Sequence, residues 1–213
     1  MFNYESLQPF FESKSGQIIT VIVMLVLFAL ILIPRKGKKN VDIKAMTLSA
    51  IMVAVAMALS AITLFRMPQG GSVTPLSMLP IALIAYAFGT RQGVIAGICL
   101  GLLNLIMGPY VIHPAQLLID YPFAFGALGL GGIWKNSSNG LLKAYVTGVV
   151  GRYIFAVISG IIFFAEYAPE GWNPVTWSLW YNITYLGVEG IITCIIISLP
   201  PVKKAFERLK STL

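Results

Sequence analysis

Four strongly polar side chains stand inside otherwise apolar runs: Asp120, Arg152, Asn182 and Glu189. Asp120 lies in QLLIDYPFAF, residues 116–125. An aspartate at the centre of a membrane-spanning helix costs about 2.5–3.5 kcal/mol on insertion scales. Groups held at such a cost usually face a bundle interior, where they pair or line a substrate path. A carboxylate without a partner in low dielectric takes up a proton or holds a cation. With a rise of about 1.5 Å per residue, Asp120 and Asn182 share a level roughly 9 Å from one end of their helices. Arg152 and Glu189 share a deeper level, at roughly 20 Å. The matched depth allows an Arg152–Glu189 ion pair. The long arginine side chain equally allows Arg152 to reach Asp120 and form a shared binding dyad.

Aromatic residues are dense around the shallower level. Tyr121 follows Asp120, Trp177, Trp180 and Tyr181 precede Asn182, and Phe163 and Phe164 end the run before them. Trp172 fits the aromatic belt of a membrane interface. Arg152, Ala156, Gly160 and Phe164 recur four residues apart and share one helix face. Its two small residues permit close helix packing, or leave room for a flat ligand. An acidic group, an amide and several ring faces together suit a cationic aromatic molecule. His113, before Pro114, has no second ligand near it in sequence and reads as an interfacial or capping residue. No metal site or cofactor motif is expected. The stretch RMPQGGSVTP, residues 66–75, is a connector or a lid, with Gly70 and Gly71 giving backbone freedom.

The elements that must position these groups are apolar helices. The chain has 213 residues, 57% hydrophobic and 11% charged, with a mean hydropathy of +0.83. A soluble domain of this size could not hide so much apolar surface, whereas a multi-span membrane protein need hide only part. Apolar stretches near 17–34, 43–65, 75–90, 92–108, 114–134, 141–165 and 175–199 predict an all-α membrane bundle. Glu5 and Glu12 precede the first stretch, and no small-residue cleavage site follows it, so it reads as a retained span rather than a signal peptide. Cys99 and Cys194 sit in apolar runs and read as packing residues.

The net charge of +7 is distributed as the positive-inside rule requires, which removes nucleic acid as its explanation. Loops 35–44, 89–91 and 135–143 and the tail 200–213 hold 12 of the 15 Lys and Arg. These are expected to be cytoplasmic, which places the N-terminus outside and the C-terminus inside. No Walker A, HExxH or G-x-S-x-G pattern occurs, and no nucleophile–base constellation, so the chain does not read as an enzyme.

MPQGGSV, HPAQLLIDYPFAFGALGLGG and RYIFAVISGIIFFAEYAPEG…SLWYN together resemble the thiamine-specific substrate-binding (S) subunits of energy-coupling factor transporters, the ThiT/YuaJ family. The resemblance runs from about residue 43 to about residue 200. It implies a six-helix vitamin-binding domain over 41–213, preceded at 1–40 by a tail, an extra helix and a basic loop. It also implies capture of thiamine, or a close relative, from outside a prokaryotic plasma membrane. Transport would require a transmembrane coupling subunit and two cytoplasmic ATPases. By the same resemblance Asp120 engages the thiazolium, with Tyr121 beside it. Asn182 would bond the aminopyrimidine, Trp177 and Arg152 would line the pocket, and Gln69 to Ser72 would form the lid. Phe164 closes the face that starts at Arg152. Ala50 and Ala54 would dock the coupling subunit. Relatives carry a histidine where Ala156 stands, so the pocket loses a polar contact and gains space. The competing reading is a self-sufficient proton-coupled carrier, with Asp120 or Glu189 taking the proton.

Overall fold

The computed structural model describes residues 43–108 and 110–212, with a few isolated positions before them. The apolar stretch at 17–34 and the basic run after it lie outside the described residues, apart from those isolated positions. What is described is a bundle of helices around one apolar core. α1 spans Ile43–Ala61, α2 Leu79–Phe88, α3 Thr90–Met107 and α4 Pro114–Trp134. α5 spans Gly140–Phe163, α6 Pro174–Ser198 and α7 Pro200–Ser211. Five of these are long and apolar enough to cross a membrane, and α2 is apolar but only 10 residues long. Large apolar side chains cover the outside, among them Ile51 and Val55 on α1, Val150 and Ile154 on α5, and Ile191 and Ile195 on α6. Facing lipid, they need no protein partner.

Backbone contact between helices depends on small residues, as it does in bilayers. Gly97 and Gly101 of α3 lie so close to α4 that a Cβ would fall on the carbonyl oxygens of Phe125 and Tyr121. This contact fixes the depth and rotation of the segment that carries Asp120. That segment is irregular. Residues Ile119–Phe123 form a π-helical turn, with Pro122 inside it. Proline lacks an N–H and its ring crowds the preceding turn, which accounts for the distortion. A second π-helical turn, Ile183–Gly187, interrupts α6 directly after Asn182. No residue in that turn explains it as Pro122 explains the first. Such turns occur often at functional sites, and both of these border the same cavity.

Two features depart from the sequence reading. The stretch 66–75 is neither a plain connector nor wholly loop. Its first part belongs to a two-stranded antiparallel ribbon pairing Phe65 with Val73 and Arg66 with Ser72. Gly70, at φ +88°, makes the turn at the tip. The span drawn at 75–90 begins later, because Thr74, Ser77 and Met78 are bound to Glu189 before α2 starts.

The tail after residue 199 is also helical. Pro200 and Pro201 open α7, where proline is tolerated because the first-turn N–H groups have no intrahelical partner. Phe206 packs on the core, and the Lys210 ammonium lies 3.8 Å from the centre of the Tyr86 ring. The basic side chains of α7 therefore sit with Lys135 and Lys143 at one end of the bundle.

Candidate binding cavity

At the end remote from α7, the helices part around a cavity of about 630 Å³. That volume falls within the range of small-molecule sites, about 300–1,000 Å³. All ten residues singled out from the sequence line it: Gln69, Gly70, Gly71, Asp120, Tyr121, Arg152, Ala156, Phe164, Trp177 and Asn182. The face Arg152–Ala156–Gly160–Phe164 of α5 forms one wall.

Asp120 is not without a partner. Gln116 lies one helical turn earlier, and its Nε2 donates to Asp120 Oδ2 at 2.5 Å. The same nitrogen donates to the Tyr110 carbonyl at 3.1 Å, and Gln116 Oε1 accepts from Ile112 N–H at 3.2 Å. Gln116 is 1% exposed, so its amide ties Asp120 to the connector before α4. Tyr121 is held to that connector as well, its hydroxyl accepting the Tyr110 N–H at 2.8 Å. His113 caps α4 by accepting the Ala115 N–H at 3.1 Å, one of the two roles the sequence allows it.

The two arrangements left open for Arg152 are decided by geometry. Glu189 does not pair with it. Glu189 Oε2 accepts from the Thr74 N–H and hydroxyl at 3.2 and 2.7 Å, and Oε1 accepts from the Ser77 hydroxyl and Met78 N–H at 3.1 and 3.3 Å. Equal depth was a poor guide because Glu189 faces the residue 74–78 turn rather than α5. The Arg152 guanidinium instead lies over the Phe125 ring, 4.0 Å from its centre, as a cation–π contact. It makes no hydrogen bond to any described residue, although its charge lies near Asp120.

Asn182 is 4% exposed and already heavily engaged. Its Nδ2 donates to the Ser178 carbonyl at 2.9 Å and to the Ala156 carbonyl at 3.3 Å. Its Oδ1 accepts from the Tyr185 hydroxyl at 2.8 Å, which leaves that oxygen one further lone pair. Gly160 makes this possible, since a Cβ there would fall on Ser178 Oγ.

Aromatic rings step along the α6 wall. Trp172 and Trp177 are 5.7 Å apart, Trp177 and Tyr181 5.9 Å, and Tyr181 and Tyr185 5.8 Å. Trp172 is thus packed against Trp177 rather than only belted, while Trp180 is 57% exposed and points away. The Tyr181 hydroxyl also receives the Gln69 and Gly71 N–H groups, each at 3.2 Å, and so holds the tip of the ribbon over the cavity. Across from it, Tyr110 stacks on Phe164 at 6.0 Å.

Gln116, Ser159, Tyr110 and Tyr185 also line the cavity and were not singled out from the sequence. Gln116 had a readable signal, its four-residue spacing from Asp120. Ala50 and Ala54 lie elsewhere, both exposed on α1, next to buried Ser49 and Val53. Among the described residues no group of three or more His, Cys, Asp or Glu could hold a metal ion.

Apolar spans around an aromatic cavity that carries two carboxylates, Asp120 and Glu189, define a multi-pass membrane protein with a site of small-molecule size. The chain belongs to the family described as thiamine transporter protein (Thia_YuaJ), whose model matches residues 46–208. It is 36% identical over 166 residues to the thiamine transporter ThiT of Bacillus subtilis, covering 70% of this chain and 86% of that protein. It is 30% identical over 168 residues to the ThiT of Lacticaseibacillus paracasei, covering 70% and 82%. The solved structure of ThiT from Listeria monocytogenes superposes with a TM-score of 0.64 at 29% identity, covering 78% of this chain and 99% of that one.

Proposed function

We propose that the chain is the substrate-binding membrane subunit of an ATP-driven energy-coupling factor importer, and that it holds thiamine in this cavity. The observation that carries the reading is Asp120, an acidic side chain fixed by Gln116 on the wall of an aromatic cavity whose other carboxylate, Glu189, is taken up by four donors of Thr74, Ser77 and Met78. Thiamine offers a permanent thiazolium cation for the carboxylate, and flat rings for Trp177 and Tyr181. The aminopyrimidine supplies donors for the remaining lone pair of Asn182. The family membership and the ThiT relatives support the same ligand.

Dependence on separate ATPases rests on the resemblance of the sequence to S subunits, together with the absence of a nucleotide-binding motif. The exposed Ala50 and Ala54 on α1 suit close contact with a transmembrane coupling partner. The basic end formed by Lys135, Lys143 and α7 is taken as cytoplasmic, so the cavity opens outward.

The alternative, a proton-coupled carrier working alone, is favoured only by the presence of intramembrane carboxylates. Glu189 is a weak candidate for its proton site, because four donors already occupy it. Uptake of labelled thiamine into cells producing the chain, with and without the ATPase subunits, tests the assignment. Accumulation that persists without ATPases would establish the carrier instead.

A further inference from the structure

Ser159 is a polar group of the cavity whose hydroxyl is buried without a protein partner. It lies in α5 directly before Gly160, is 1% exposed, and lines the cavity beside Asp120. A serine or threonine inside a helix commonly returns its proton to the carbonyl four residues earlier. Thr47, Ser60, Thr193 and Ser198 do this, at 2.9, 2.9, 2.8 and 2.7 Å. Ser159 does not, and its hydroxyl has no hydrogen bond of ordinary geometry to any protein atom. A buried polar group left unpaired costs about 1–3 kcal/mol. Asp120 lines the same cavity, and its carboxylate is near enough to this hydroxyl to interact with it. Gln116 occupies Asp120 Oδ2, while Oδ1 receives no hydrogen bond of ordinary geometry from a described residue.

We propose that Ser159 is a positioning residue for Asp120, its hydroxyl donating to Oδ1 when the cationic ligand enters. Gln116 from α4 and Ser159 from α5 then grip the carboxylate from both sides. Held in this way once the ligand is bound, Asp120 presents a fixed face to the cation, and the Ser159 hydroxyl gains a partner instead of staying unpaired. Ser159 is too buried to serve as the main ligand contact and acts through the carboxylate. The inference rests on the thiamine reading and adds to it how charge recognition is made rigid.

The test uses the full chain in detergent and two ligands, thiamine and a neutral isostere with carbon in place of the quaternary nitrogen. Ser159→Ala is expected to weaken thiamine about 3- to 10-fold, the worth of one hydrogen bond, and to leave the neutral isostere unchanged. Ser159→Thr, which keeps a hydroxyl, is expected to retain the preference for the cation. Equal losses for both ligands, or an unchanged thiamine affinity in Ser159→Ala, would overturn the inference. Loss of the preference in Ser159→Thr would assign the effect to packing and overturn it too. Failure of the unsubstituted chain to bind thiamine would overturn the thiamine reading itself, and this inference with it.

Discussion

Thr74 gives both its N–H and its hydroxyl to one oxygen of Glu189, at 3.2 and 2.7 Å, across the joint between the ribbon and α6. The other oxygen takes Ser77 and the N–H of Met78, the residue before α2. Glu189 thereby caps α2 from a different helix, supplying a negative group where the helix dipole is positive. Glu189→Gln replaces one acceptor oxygen with an NH2 group that meets donors. The variant is expected to lose about 1.5–3 kcal/mol of stability, the scale of hydrogen bonds to a charged group. Thermal unfolding in detergent reads this out, and an unchanged midpoint would contradict the capping role.

The ribbon tip is held by the Tyr181 hydroxyl, which accepts from Gln69 and Gly71. Tyr181→Phe keeps the ring and removes both bonds, worth about 1–2 kcal/mol together. Thiamine should then leave faster by roughly an order of magnitude, with a smaller change in its entry rate. Stopped-flow fluorescence separates the two rates, and an unaltered dissociation rate would mean the tip does not retain the ligand.

Gly160→Ala tests the packing behind Asn182. Its methyl group would strike Ser178 Oγ, which donates to the Val157 carbonyl at 2.9 Å and anchors the Asn182 amide. Overpacking of this kind costs about 1–3 kcal/mol. The expected result is a folded protein with thiamine affinity reduced at least about 10-fold. Wild-type affinity would show that the Asn182 network can shift without consequence.

Ala156 sits on the same wall, between Arg152 and Gly160, with its carbonyl bonded to Asn182. Ala156→His places an imidazole in the open cavity, able to bond the ligand directly or through water. Thiamine binding should tighten by about 3- to 10-fold, one hydrogen bond's worth. Weakened thiamine binding would mean that this cavity is shaped for a bulkier relative.

Much of this was legible from residue types because the bilayer is a severe filter. Apolar runs mark helices, and Asp120, Arg152 and Asn182 stand out because each is costly among them. The i, i+4 rule then placed Arg152, Ala156, Gly160 and Phe164 on one wall of the cavity. What escaped depends on rotation about helix axes or on weakly polar groups. Depth alone matched Glu189 to Arg152, whereas rotation turns Glu189 toward Thr74. Ser159 carries no signal in sequence, since serine in a helix usually satisfies itself on its own backbone. The ribbon at 65–73 has strands of two residues, too short to show any alternation. Pro200 and Pro201 follow the last apolar stretch and begin α7, and of the two π-helical turns only the one with Pro122 has a sign in sequence.

The most direct measurement is a thiamine titration of the detergent-purified chain and its Asp120→Asn variant, followed by tryptophan quenching from the Trp177 wall. The substitution removes the charge of Asp120, the cavity carboxylate proposed to meet the ligand, and leaves the side chain's shape nearly intact. Saturable binding to the unsubstituted chain is expected, with a loss of about 1.5–3 kcal/mol, roughly 10- to 150-fold, in the variant. Equal affinity in a well-folded Asp120→Asn protein would contradict this, because the cation would then be held elsewhere.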